Sequence, residues 1–251
     1  MPLALPSHRF LFSDFKRVTP VDATSVWPLL LERNTHRMTV KRPTAAMENL
    51  RAIVETTFRL ANKVGFGAMT LRDLSRECGL SMGGLYGYIA SKDDLAAMIE
   101  DMIRYLAGEI PSWFAGLFTP AERLDATLRA HVYVSELLQP WFYFVFLESR
   151  TLSDSQRQVA KAAEMAVHQG LTTLVADAGV DDATDAHLLA GHLIAVAQDW
   201  YVKRWKYKQA KLSVDAYADS LCALAMARIR PAEAPAALLV AASVSAGPLP
   251  S

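Results

Sequence analysis

The sequence predicts an all-α fold, with a small three-helix unit towards the N-terminus and a larger helical domain behind it. From residue 44 onward, apolar residues recur with the 3.6-residue period of amphipathic helices. No segment between turn signals alternates apolar and polar residues as a half-buried strand would. The 251 residues are 52% hydrophobic and carry no formal net charge, which excludes an intrinsically disordered chain and allows a substantial core.

The number of cysteines and the length of the apolar runs indicate where in the cell the protein is expected. The two cysteines, Cys78 and Cys222, lie far apart and make neither a disulfide framework nor a metal-binding set. No run of about 18 apolar residues predicts a membrane-spanning helix. We therefore expect a cytoplasmic protein with no metal, no cofactor and no membrane partner.

Both ends of the chain are expected to be flexible. Five prolines interrupt residues 1–43, so long helices are not expected there. Met38 is an alternative translation start, in which case the residues before it would not belong to the protein. The tail, residues 231–251, is rich in alanine and proline.

Residues 44–91 predict three helices, the last two joined by a tight turn. The first, 44–64, has one continuous apolar face. Thr70 and Asp73 form a capping-box-like start to the second helix, which Gly79 ends because glycine readily adopts the left-handed conformation. Ser81 caps a short third helix anchored by Leu85. This is a helix-turn-helix, and its last helix is short enough to enter the DNA major groove.

Residues 92–230 predict the larger domain. Ser91 caps a helix over 92–108, with acidic residues in its first turn. Five more helices are predicted, punctuated by proline, glycine, serine and aspartate. Their ranges are 121–138, 141–151, 154–178, 182–209 and 213–229.

The charges divide unevenly between these parts. Residues 1–92 hold 13 basic and 7 acidic side chains, whereas residues 93–251 hold 13 basic and 19 acidic ones. A basic N-terminal part suits a polyanion such as DNA, although ordinary surface variation explains the difference equally well.

The segment from Thr70 to Leu95 resembles the DNA-binding signature of the TetR family of bacterial transcription regulators. The matching features are Thr70-Leu71-Arg72-Asp73-Leu74, Gly79-Leu80-Ser81, Leu85-Tyr86-x-Tyr88 and Lys92-x-x-Leu95. The resemblance covers about residues 44–108 closely. It implies that 82–88 is the recognition helix and that Tyr86 and Lys92 contact phosphate, while Tyr88 either contacts DNA or packs on the first helix. The candidate DNA-binding residues are Lys41, Arg42, Thr70, Arg72, Ser81, Met82, Gly83, Gly84, Tyr86, Tyr88 and Lys92.

Three positions depart from the family pattern. Gly84, Gly87 and Ile89 stand where a small polar residue, histidine and phenylalanine are common. Glycines in a helix each cost about 1 kcal/mol relative to alanine, so we expect the recognition helix to be loose until DNA orders it. Lys41 and Arg42 form either a DNA-contacting arm or a solvated charge pair.

The larger domain is expected to bind a small molecule. The run Trp141-Phe142-Tyr143-Phe144-Val145-Phe146 covers every face of its helix, as a pocket wall or as ordinary core. A faint similarity to regulators that sense acyl-CoA esters lies in Glu148-Ser149-Arg150 and Asp199-Trp200. The candidate ligand-binding residues are Met102, Leu106, Trp113, Phe114, His131, Trp141, Phe144, Val145, Glu148, His168 and Gln198.

The last two helices are expected to form a homodimer interface. Their apolar stripes include small residues that allow close helix approach, and similar regulators pair these helices into a four-helix bundle. A two-fold dimer would place two recognition helices about 34–36 Å apart. The candidate interface residues are Leu188, Leu189, Leu193, Val196, Trp200, Leu221, Leu224 and Ala225.

These patterns predict a ligand-responsive repressor, not an enzyme. His187 and His192 match no zinc motif, and the sequence contains no phosphate loop or nucleophile elbow. The expected partners are an operator in double-stranded DNA, a small-molecule effector and a second copy of the chain. The alternative is a helical small-molecule-binding protein or enzyme with a degenerate helix-turn-helix.

Overall fold

The computed structural model describes residues 9–39, 43–117, 119–148 and 153–229, and these residues contain helices and no strand. The all-α prediction is therefore confirmed. None of the described helices is long and apolar enough to cross a membrane, and no described residues form a group of three or more metal-ligating side chains. The expected DNA-contacting arm, Lys41 and Arg42, and the expected flexible tail lie outside the described residues.

Twelve α-helices are described. They are α1 (Phe12–Val18), α2 (Val26–Asn34), α3 (Pro43–Val64), α4 (Leu71–Cys78), α5 (Met82–Tyr86), α6 (Lys92–Trp113), α7 (Pro120–Leu137), α8 (Gln139–Glu148), α9 (Asp154–Asp177), α10 (Ala183–Val202), α11 (Arg204–Gln209) and α12 (Val214–Met226). A 3-10 turn, Thr35–Arg37, follows α2. The helices α3 to α5 form the head, and α6 to α12 form the body, in which α7 packs against both α9 and α12.

The expectation of a flexible N-terminal extension is wrong for residues 9–39. Phe15 and Leu30 are fully buried, and Trp27 packs on Trp141 of α8 with ring centroids 5.2 Å apart. The prolines do prevent long helices, since α1 and α2 have only seven and nine residues. Short helices nevertheless pack well when their apolar residues reach a pre-existing core.

The extension contacts both the head and the body. The hydroxyl of Tyr133 on α7 donates to the carbonyl of Phe10 at 3.1 Å, and the amide of Phe12 donates to Asp215 of α12 at 2.8 Å. Further along, Arg33 pairs with Asp101 of α6 at 2.7 Å. The Thr39 amide donates to the carbonyl of Gly87 in the head at 3.0 Å. Residues 9–39 therefore join the two parts of the molecule.

Two helix boundaries differ from the prediction. The helix predicted over 92–108 continues past Gly108 and Pro111 to Trp113. The helix predicted over 182–209 is two helices, because Lys203 leaves the helical conformation between α10 and α11. The break lets Arg204 form a bidentate ion pair with Glu136 of α7, with nitrogen–oxygen distances of 2.7 and 2.8 Å.

Candidate DNA-binding surface and ligand cavity

Local hydrogen bonds build the helix-turn-helix as the sequence predicts. Thr70 accepts from the amide of Asp73 at 3.1 Å, and the Asp73 carboxylate accepts in return from the amide and hydroxyl of Thr70, which confirms the capping box. Gly79 has φ +74°, the left-handed conformation that ends α4. Ser81 then accepts from the amide of Gly84 at 3.1 Å and caps α5. These bonds fix the position of a short, exposed fifth helix.

Hydrogen bonds also perturb the capping carboxylate. The hydroxyl of Thr70, followed by the guanidinium of Arg76, lowers the pKa of Asp73 from its ordinary value. Asp73 therefore stays ionised at the pH values where a bare aspartate begins to take up a proton.

Most candidate DNA-binding residues that the structure describes lie on an accessible surface. Tyr86 is 53% exposed, and Arg72, Thr70, Ser81, Gly83 and Gly84 are also exposed, whereas Met82 is half-buried. The hydroxyls of Thr70 and Ser81 are already used in capping, which leaves Arg72 and Tyr86 as the long polar side chains of this surface. Few side chains of this surface are therefore long enough to reach base edges.

Tyr88 does not belong to this surface. It is 3% exposed, and its hydroxyl accepts a hydrogen bond from the Asn49 amide group at 2.9 Å. Of the two roles that the sequence allows, packing on the first head helix is the one that the structure has, because a ring at this position faces α3.

Lys92 is more engaged than expected. Its ammonium donates to the carbonyl of Gly67 at 2.9 Å and lies 5.0 Å from the centroid of the Phe66 ring. Burial lowers the pKa of Lys92, while Asp93 and Glu148 act against the shift. An ammonium has three donors, so Lys92 can hold the α3–α4 turn and still offer donors to a phosphate.

The predicted aromatic ligand wall divides: Phe142, Val145 and Phe146 line a cavity of the body, whereas Trp141 and Phe144 form a seam between head and body. Phe58 of α3 packs on Trp141 and Phe144 of α8, with centroids 5.3 and 5.5 Å apart. Phe66 packs edge-on to Phe144 at 5.1 Å, and its amide donates to the Glu148 carboxylate at 3.4 Å. The expectation that Trp141, Phe144 and Glu148 line a pocket is therefore wrong, because the head covers them.

Four further candidate ligand-binding residues also belong to the core. Met102 and Leu106 are fully buried on α6 and line neither of the two cavities in the body. Trp113 and Phe114 pack against the N-terminal extension. The ring centroids of Trp113 and Phe15 lie 6.3 Å apart, and those of Phe114 and Phe10 lie 6.0 Å apart. Sequence alone did not identify the extension as their partner.

Two adjoining cavities lie in the body, between α6, α7, α9 and α10. The inner cavity, of about 370 Å³, is lined by residues of these four helices, and the outer one, of about 500 Å³, also reaches α8. Both volumes fall within the range of about 300–1,000 Å³ typical of ligand pockets. The two share six lining residues, Arg104, Ala107, His131, Ala163, Val167 and Ile194.

Three of the candidate ligand-binding residues line these cavities. His131 faces both, while Val145 and Gln198 line the outer one. His168 lies beside a third, shallower cavity and hydrogen-bonds the carbonyl of His187 at 3.0 Å. Glu100, Arg104 and Thr127 also line these cavities but were not predicted, because a polar residue on a helix gives no signal of a pocket until the helices are packed.

The predicted dimer stripe divides into buried and exposed residues. Leu193, Trp200, Leu221 and Ala225 are at most 2% exposed and belong to the core, so their assignment to an interface is wrong. Leu189 and Val196 are half-buried, whereas Leu188 and Leu224 are 52% and 53% exposed. The predicted stripe was too broad because it merged the inner and outer faces of the helices.

Comparisons with known proteins support the family suggested by the helix-turn-helix. Residues 53–99 match the family model described as bacterial regulatory proteins, tetR family. The head is therefore similar to the DNA-binding part of bacterial regulatory proteins of the tetR family. The chain is 22% identical over 172 residues to the HTH-type transcriptional regulator HbdR of Aromatoleum sp. (strain CIB). The aligned region covers 67% of this chain and 75% of HbdR.

Solved structures show the same fold. AibR, solved in complex with isovaleryl coenzyme A and operator DNA, has a TM-score of 0.60 and 22% identity, covering 70% of this chain and 97% of AibR. FadR of Bacillus subtilis, solved in complex with stearoyl-CoA, has a TM-score of 0.57 and 14% identity. The match covers 72% of this chain and 99% of FadR. The chain thus shares the fold of these two proteins, with a helix-turn-helix head and a helical C-terminal body.

Proposed function

We propose that this protein is a homodimeric transcriptional repressor that binds a pseudo-palindromic operator and leaves it when a largely apolar small molecule binds the body. In this proposal residues 44–91 form the DNA-binding domain and residues 92–230 the ligand-binding and dimerisation domain. The observation that carries it is the course of α6. One helix begins beside the exposed DNA-binding surface and continues into the wall of both cavities.

The contacts of α6 support its role in coupling. Near its start, Lys92 binds the carbonyl of Gly67 and Asp94 pairs with Arg37 at 2.9 Å. About two turns later, Glu100 and Arg104 line the outer cavity. A ligand that displaces this part of α6 would move the head, and release requires only that the ligand prefer the displaced state by about 1–3 kcal/mol.

The ligand class is supported by the cavities and by two relatives. The walls are mostly apolar, as expected for a pocket that binds an apolar compound. AibR and FadR were each solved with a coenzyme A thioester. An acyl-CoA-type or aromatic effector is therefore the first class to test.

The homodimer is supported by an exposed stripe on α10 and α12. Leu188 and Leu224 are each about half exposed, and the small residues Gly191 and Ala195 lie on the same face of α10 as Leu188. Small side chains let the helices of a second copy approach closely. A dimer contacts both half-sites of an operator at once, which raises its affinity for the operator above that of a monomer.

Selection of bound fragments from genomic DNA tests operator binding. We expect recovery of a pseudo-palindromic site whose affinity falls steeply with salt, because phosphate contacts release counterions. The variant Arg72→Ala with Tyr86→Phe should lose most of this affinity, while the matched pair Arg157→Ala with Tyr143→Phe in the body should keep it. Binding that is weak, insensitive to salt and equal on all sequences would instead favour a small-molecule-binding protein with a degenerate helix-turn-helix.

The dimer has a separate test in the exposed stripe. Leu188→Arg with Leu224→Arg should give a monomer by light scattering and lose operator binding with it. Val159→Arg on α9, at a residue that is 44% exposed, is the matched control and should remain a dimer. A wild-type protein that is monomeric at all concentrations would overturn the proposal.

A further inference from the structure

Polar atoms without partners are concentrated in the cavities of the body. Among the described residues, five buried side-chain polar atoms have no hydrogen-bond partner, and three of them belong to cavity-lining residues. These three are Oε2 of Glu100, Oγ1 of Thr127 and Nε2 of His131. Buried polar groups are normally paired, so three unpaired atoms in residues that line two adjoining cavities indicate a missing hydrogen-bonding partner.

The polar residues lie on facing helices at equal spacing. Glu100 and Arg104 stand four residues apart on α6, and Thr127 and His131 stand four residues apart on α7, so each pair shares one helix face. Glu100 is 6% and Thr127 8% exposed, so neither group has bulk water as an alternative partner. His131 faces both cavities and packs edge-on to Phe142 at 5.9 Å.

The charges of the cavity wall disfavour an anion. Glu100 and Glu164 line the outer cavity, and the burial that raises the pKa of Glu100 shows that negative charge is disfavoured there. Arg104, the one cation among the residues lining the two cavities, is ion-paired with Asp101. Burial lowers the pKa of His131 to about 4, so its ring is neutral near neutral pH. A carboxylate entering this space would meet acidic groups and no unpaired cation.

We propose that the effector is an elongated apolar compound that carries an uncharged carbonyl group, in an ester, thioester or amide linkage. The carbonyl oxygen accepts hydrogen bonds from Thr127 and His131, and Glu100 disfavours the corresponding free carboxylate. This inference rests on the proposed function, because it assigns the cavities to the effector of that function.

Three probes with the same eight-carbon chain separate the alternatives. Methyl octanoate carries the uncharged carbonyl, octanoate carries the carboxylate, and octane carries neither. Titration calorimetry on the full chain near neutral pH should give an affinity for methyl octanoate at least about tenfold above those for octanoate and octane, since a hydrogen bond to a buried group contributes about this factor.

Single variants then assign the contacts. Thr127→Val keeps the side-chain shape and should weaken the binding of methyl octanoate about tenfold. His131→Phe should have the same effect, and neither variant should change the binding of octane. Glu100→Gln should bring octanoate binding closer to that of the ester. Thr173→Val, an exposed threonine on α9 outside both cavities, is the matched control and should change none of the three affinities. Thermal unfolding of each variant separates lost binding from lost folding.

The outcomes distinguish this inference from the proposed function. Equal binding of methyl octanoate and octanoate, no binding of methyl octanoate, or full ester affinity in a folded Thr127→Val protein would each overturn the inference. If another apolar compound still releases operator DNA in that case, the proposed function stands. If instead methyl octanoate binds as expected but the operator complex persists, the inference stands and the coupling in the proposed function fails.

Discussion

The helix-turn-helix and the N-terminal extension are both made of short helices, yet different interactions hold them in place. In the head, α4 and α5 begin at side-chain caps and α4 ends at a left-handed glycine, so neighbouring residues in the chain specify the turn. In the extension, the N-cap side chains of α1 and α2 accept no hydrogen bond, although Asp14 and Asp22 accept from nearby amides. Both helices depend mainly on apolar side chains buried against distant helices. Local signals thus specify the first region and tertiary packing the second.

Removal of residues 1–39 should have the largest effect. It exposes the surfaces that Phe15, Val26, Trp27 and Leu30 cover, and each such side chain contributes about 1.5–3 kcal/mol of burial. We expect the shortened chain to be largely unfolded in circular dichroism, since domain stability is only about 5–15 kcal/mol. A cooperative transition at the wild-type temperature would show that the packing contributes nothing to stability.

Phe15→Ala tests the same packing with one side chain. Phe15 is fully buried between the rings of Phe10, Trp113 and Tyr133. Truncation should cost about 3–5 kcal/mol in urea unfolding. Ser13→Ala, at an exposed position in the same helix, is the control and should stay within about 0.5 kcal/mol of wild type. A change in the free energy of unfolding as small as that of Ser13→Ala would mean that α1 does not contribute to the core.

Thr70→Ala tests the local signals of the head. Loss of the cap should cost about 1 kcal/mol, far less than loss of Phe15. Thr70 also lowers the pKa of Asp73, and a lowered pKa contributes stability that is present above the ordinary value of 3.8 and lost as the pH falls through the folded-state value. The difference between wild type and Thr70→Ala should therefore shrink on acidification in urea titrations below that pH. A constant difference would indicate that the carboxylate contributes nothing.

Gly83→Ala should have the smallest effect, and it is stabilising. An added Cβ meets nothing within 4 Å, and alanine favours a helix by about 1 kcal/mol over glycine. Amide exchange across residues 82–86 should slow in the free protein. At Gly84 the added Cβ would lie 3.3 Å from the capping oxygen of Ser81, so Gly84→Ala should gain less. Exchange in wild type as slow as in α3 would contradict the expectation that DNA orders this helix.

Prediction succeeded where the deciding residues are close in sequence. Thr70 with Asp73, and Ser81 with its short helix, form in the structure as predicted because their partners lie three residues away. Prediction failed at Trp141 and Trp200, whose apolar patterns are the same whether a helix face meets a ligand, a second chain or the core. Their partners, Phe58 and Glu136, lie more than 60 residues away.

The sequence by itself determined the all-α class, the helix-turn-helix and the family resemblance, because periodicity, caps and turns are local properties of the chain. Only the tertiary structure decided that the N-terminal extension is packed, that one side of the aromatic run joins head to body while the other lines a cavity, and that Glu100, Thr127 and His131 line two adjoining cavities. Those outcomes depend on which distant surfaces exclude water together, and no local pattern encodes that choice.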